Sequence, residues 1–178
     1  HTVVRSDIVG MGCHAGLNSL LAAASWAHLN PGELAVSCGV EISSSAYLDD
    51  RPMGNIEACH IMNAVVNSLF ADGCFAACLL AAEPNAAAAE VSPPLPDAYC
   101  TLHDFRSVIA TDAFETMLYK FNKQQEQVFF WLSEEAPYVV GEGMLLLSAD
   151  CLARGLPLEH TRHWVMHTGG QTVLDASL

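Results

Sequence analysis

Two side chains in this sequence stand where reaction chemistry is simplest to arrange. Cys13 follows Gly10-Met11-Gly12 and precedes a long apolar stretch, and His167 closes the segment HWVMH ahead of Thr168-Gly169-Gly170. Glycine adopts backbone angles that a Cβ forbids, so each spacing describes a sharp turn presenting one side chain at the start of a helix. A thiol in that position meets the free N–H groups and the positive end of the helix dipole, which favour thiolate over thiol. Thiol and imidazole brought together form a nucleophile and its proton-transfer partner. The alternatives are a buried, inert cysteine and a histidine satisfied within the core or at the surface.

The elements that must position these groups follow from periodicity and turn chemistry. Residues 2–9, β-branched and apolar, read as a strand entering the Gly10–Gly12 turn. Residues 14–29 read as a helix apolar on nearly every side, as expected of one buried between layers, and Asn30-Pro31-Gly32 stops it. Residues 33–42 read as a central, parallel strand and 43–62 as a loop. Residues 64–81 read as a short helix or turn, a break at Gly73 and a second buried strand. The proline-rich stretch 83–98 reads as a linker or surface loop between 1–82 and 99–178. Beyond it the pattern gives a strand over 99–111, a helix over 112–124, a strand over 126–132 and a helix over 140–154 closed by Gly155. A strand at 163–167 and the start of a helix at Gln171 follow. Strand, buried helix and strand make an α/β domain, and the sequence of strand, glycine turn and helix occurs in both halves.

Composition narrows the function. Twenty acidic against seven basic residues give a net charge of −13, which excludes nucleic-acid binding through a basic surface. The same balance is unfavourable for a polyphosphate ligand such as coenzyme A, usually held by Lys or Arg. A hydrophobic content of 52% over 178 residues predicts a domain with a sizeable core. No run reaches the ~18 uninterrupted apolar residues of a membrane span, so no membrane association is expected. The opening HTVVRSDIVG has no signal-peptide layout and no initiator methionine and reads as an interior cut. Seven cysteines in apolar surroundings fit a reduced, cytoplasmic setting. Neither Cys74 with Cys78 nor Cys59-His60 with His14 or His103 has the spacing of a structural zinc site, and no metal is expected.

Four segments in order, VGMGCHAGLNSL, ELAVSCGVEISSSAY, NSLFADGCFAACLL and HWVMHTGGQTVLDA, resemble the thiolase-fold condensing enzymes, and among them the chalcone synthase-like type III polyketide synthases. The matching motifs are G-x-G-C-x-A-G at Gly10–Gly16, a strand followed by glutamate at Glu41, L-F-G-D-G-A at Leu69–Gly73 and H-x-G-G at His167–Gly170. Met11, His14 and the NSLFADG wording are similar to a bacterial subgroup that uses malonyl-CoA as both starter and extender. Ala71 and Cys74 depart from the family's glycine and alanine, and the 81–98 segment is longer and richer in alanine than the family pattern.

The resemblance implies a layered α-β-α-β-α thiolase-like fold, of which this chain covers the middle. It also implies an acyltransferase that condenses malonyl-CoA units, with decarboxylation, onto a Cys-bound acyl starter. Acyl-CoA and malonyl-CoA are then substrates, and no cofactor is expected. By the same resemblance Cys13 is the nucleophile, and His167 is its imidazolium partner and stabilises the enolate. Phe70 lies where the coenzyme A tunnel meets the cavity, Glu41 lies near the site, and Gly169 and Gly170 form the substrate-binding turn. The family's third catalytic residue, an asparagine, belongs beyond Leu178, and its basic residues for coenzyme A belong before His1. The resemblance therefore implies a homodimer of a longer protein, or a second chain supplying the missing segments. Two other readings stay open. One is a β-ketoacyl synthase of the fatty-acid initiation type, fed by a carrier protein. The other is a non-catalytic, truncated thiolase-fold subunit.

Overall fold

The stretch from Leu17 to Leu29 contains neither glycine nor proline and becomes helix α1 (Ala15–Leu29), preceded by a single 3-10 turn at Gly12–His14. The computed structural model describes residues 3–46, 57–81, 100–123, 127–156, 158–167 and 169–177. Asn30 ends α1 as expected: its N–H donates to the Trp26 and Ala27 carbonyls and its side-chain amide donates to Trp26 O at 2.8 Å. Gly32, at φ +81°, then turns the chain into β1.

Strands β1 (Leu34–Glu41) and β2 (Gly73–Leu80) pair antiparallel, in register from Leu34 opposite Leu80 to Glu41 opposite Gly73. The sequence reading made β1 parallel and both strands buried; the structure corrects this. Among the described residues one face of the hairpin is covered and the other is open. Ala35 and Ser37 are buried while Leu34, Val36 and Val40 are open, and half-covered pairs of this kind belong to antiparallel ladders. Alternation places Ala35, Ser37 and Gly39 on the covered face, opposite Leu79, Ala77 and Phe75. Helix α1 lies on that face, where Ser19 Oγ and the buried Ser37 Oγ share a hydrogen bond of 2.8 Å. These elements belong to one compact unit, His1–Ile42 with Asp72–Phe105.

The second unit, Ser43–Ala71 with Arg106–Leu178, contains α2 (Glu57–Leu69), the antiparallel hairpin β3 (Met117–Asn122) and β4 (Gln127–Leu132), α3 (Ala136–Ala153) and α4 (Gln171–Ser177). Three readings are corrected here. Helix α2 takes the last part of the expected 43–62 loop. Residues 117–122 form a strand rather than a helix: Tyr and Phe favour the pleated surface, and a partner strand begins five residues later. Tyr119 stacks edge-on against Phe130 directly across the ladder, ring centroids 5.1 Å apart, and Lys120 lies 4.4 Å over Trp131. Helix α3 starts earlier than expected, with Pro137 in its first turn. It ends at Gly155 (φ +75°), where Gly155 and Leu156 donate to the Leu152 and Cys151 carbonyls.

The strands expected at 2–9, 99–111 and 163–167 do not form among the described residues, which are irregular and largely exposed there. Val165 is fully open. A strand needs a neighbour to pair its backbone groups, and these apolar runs have none among the described residues. The 83–98 linker lies outside the described residues. By length and composition alone α3 is apolar enough to cross a membrane, although it carries Glu142 and Asp150 and packs against α4 through buried Gly141.

Candidate active site

Cys13 occupies the middle of the 3-10 turn. His14 N–H donates to Met11 O at 3.2 Å and Ala15 N–H to Gly12 O, so the turn closes beneath the thiol and passes directly into α1. Gly10 and Gly12 adopt φ +74° and +54°, where a Cβ is strained. The result is an exposed thiol at a helix entrance, as the glycine spacing implied, although the described residues ahead of it, 3–9, are not a strand.

Glu41 is the last residue of β1, exposed, and opposite Gly73. Helix α1 runs antiparallel to β1: Ser19 meets Ser37, while Gly16 meets Phe75, the partner of Gly39. Cys13 and Glu41 therefore lie at the same end of this layer.

His167 is exposed and stands before the turn that opens α4. Gly170, at φ +112°, caps that helix by accepting from Val173 and Leu174 N–H groups, both at 3.2 Å. A Cβ on Gly169 would stand 3.3 Å from Val173 Cγ2 and 3.5 Å from His167 Cδ2, so the bare glycine lets the imidazole fold against the helix start. Phe70 follows α2, its N–H donating to Val66 O at 3.0 Å. Its half-buried ring meets Phe130 edge-on, with centroids 6.2 Å apart.

Two features were not singled out from the sequence. Phe130, 7% exposed, backs Phe70; its signal was the aromatic alternation of the hairpin, obscured by reading 112–124 as a helix. The cations, scattered in sequence, are partly gathered by the fold: Arg106 and Arg154 approach the same Asp150 oxygen at 3.4 and 3.5 Å. That group sits at the C-terminal end of α3, where cations stabilise the carbonyl end of the helix dipole. Among the described residues no three His, Cys, Asp or Glu side chains converge as a metal site would require.

No protein-family model matches the chain. The 3,5-dihydroxyphenylacetyl-CoA synthase of Streptomyces toyocaensis is 40% identical over 173 residues, which are 97% of this chain and 41% of that protein. The enzyme of the same name from Amycolatopsis orientalis is 38% identical over 173 residues, 97% of this chain and 42% of its own length. The chain thus spans about two-fifths of the relatives it matches. Among solved structures, PKS-I of the brown alga Ectocarpus siliculosus superposes with a TM-score of 0.69 at 21% identity, over 92% of this chain and 38% of that one. The 1,3,6,8-tetrahydroxynaphthalene synthase of Streptomyces coelicolor A3(2), a bacterial type III polyketide synthase, does so with a TM-score of 0.68 at 18% identity, over 93% and 41%. Over nearly all its length, then, the chain is homologous to part of the 3,5-dihydroxyphenylacetyl-CoA synthases and carries part of the thiolase-like α/β fold of the type III polyketide synthases.

Proposed function

We propose that this chain forms the nucleophile-bearing part of an acyltransferase that condenses malonyl-CoA units onto a Cys13-bound acyl group to make a polyketide. The observation that carries this is the exposed Cys13 on a closed turn at the head of α1, in a chain 40% identical to a synthase whose name specifies a CoA thioester. The Cys13 thiolate attacks the thioester carbonyl; the C–S bond to coenzyme A breaks, and the departing thiolate takes up a proton. Malonyl-CoA then loses CO2, and the resulting enolate carbon attacks the Cys13 thioester. A C–C bond forms and the Cys13 thiolate is regenerated. His167 pairs with the thiolate as imidazolium and polarises the malonyl thioester carbonyl as enolate charge develops. Gly169 and Gly170 shape the turn that carries it, Phe70 lines the acyl path, and Glu41 lies beside the site.

In this reading residues 1–82 close one thiolase-like half and 99–178 open the other. The working enzyme is a soluble, cytoplasmic homodimer, with no metal or redox cofactor. The segments equivalent to the rest of the relatives' length supply the coenzyme A contacts and a further oxyanion donor.

Intact-mass spectrometry of the native protein with malonyl-CoA, before and after iodoacetamide, tests this. An acyl adduct on Cys13 that iodoacetamide blocks and Cys13→Ala abolishes is the expected result. Acylation that persists undiminished in Cys13→Ala would overturn it.

A further inference from the structure

We infer that Phe75 is a positioning residue for Cys13, its ring wedged between two glycines so that it fixes the start of α1. The inference rests on the reading of Cys13 as nucleophile. Phe75 stands opposite Gly39 in the β1–β2 ladder, on the face that carries α1. Its ring lies over the space that a Gly39 side chain would fill: a Cβ built there would meet Cε1 and come within 3.1 and 3.2 Å of Cδ1 and Cζ. The same ring edge reaches α1, where a Cβ on Gly16 would sit 3.7 and 3.8 Å from Cε1 and Cζ. An aromatic ring laid across a cross-strand glycine is a known means of holding a sheet locally. Here it also touches the first turn of the helix.

Helix α1 packs along both strands of the hairpin, and two side-chain contacts lie in its N-terminal part. The Ser19–Ser37 bond fixes its height along β1. Any rocking about that bond moves the N-terminal turn most. Phe75 makes the second contact, one turn closer to the thiol. Gly16 is three residues from Cys13, about 4.5 Å along a helix axis. The ring, 40% exposed, therefore acts on Cys13 by holding the first turn of α1, and with it the 3-10 turn that carries the thiol. Cys13 is already exposed, so loosening that turn adds little access and instead spreads the thiol over positions that the closed turn excludes.

The test is iodoacetamide labelling of the whole 178-residue chain, read as the Cys13 rate relative to the Cys151 rate by peptide mass spectrometry. Phe75→Leu is expected to change the Cys13 rate roughly threefold or more relative to Cys151, and Phe75→Tyr to restore the wild-type ratio. A ratio unchanged by Phe75→Leu, whatever happens to its melting temperature, overturns the inference. Should Phe75→Leu lose the helical circular dichroism signal, Phe75→Met takes its place with the same two outcomes. Malonyl-CoA acylation, measured separately on the wild type, distinguishes the two claims. Acylation of Cys13 with a ratio insensitive to Phe75 sinks the positioning role alone. A sensitive ratio without acylation sinks the condensing reading alone.

Discussion

Single positions in this chain are constrained most where an absent Cβ makes room for a neighbour. Gly39→Ala drives a methyl group into the Phe75 ring, and the hairpin must shift or the ring must leave its place. The expected cost is about 1–3 kcal/mol, read as a lower urea midpoint with an unchanged slope. Gly170→Ala places a side chain at φ +112°, a strain of about 1–3 kcal/mol, and the same measurement checks it. The turns beside Cys13 and His167 were legible in the sequence because Gly10, Gly12, Gly169 and Gly170 make them explicit. Phe75 and Phe130 were not, because an aromatic residue in an apolar strand looks like every other core residue until the register reveals what it opposes.

Among the elements, helices were more legible than strands, for a physical reason. A helix satisfies its backbone from within its own sequence, so α1, the later part of α3 and the start of α4 could be placed from periodicity and caps. A strand is completed by a partner, and an apolar run such as HWVMH cannot show whether that partner exists. The helix expected over 112–124 failed in the same way, since the pairing of Tyr119 with Phe130 outweighed a helical spacing of apolar residues. The packing of α3 on α4 depends on a further close approach: a Cβ on Gly141 would collide with the Ala176 carbonyl oxygen. Gly141→Val is therefore expected to detach α4. Hydrogen exchange should quicken over Gln171–Ser177, with a loss of about 1–3 kcal/mol, and unchanged protection of α4 would refute the contact.

At the level of the whole molecule, the composition promised a sizeable core that the described residues do not enclose. Their buried apolar side chains are Ala27, Ala35, Val66 and Phe130, while Leu17, Leu29, Val36, Val40, Leu145 and Leu146 lie open. With apolar surface exposed on this scale, the 178-residue chain is expected to bind a hydrophobic fluorescent dye strongly. Dye binding no greater than that of an ordinary compact protein would contradict this. The two faces of β1 also differ in bulk, with Ala35, Ser37 and Gly39 beneath α1 and Val36, Cys38 and Val40 on the other side. If the hairpin zipped up one residue out of step with β1 turned over, the bulky set would face the helix. Ser19 would lose Ser37, and α1 could not seat. Docking of α1 thereby proofreads strand pairing, so that a misfolded hairpin cannot present a correctly formed Cys13 turn.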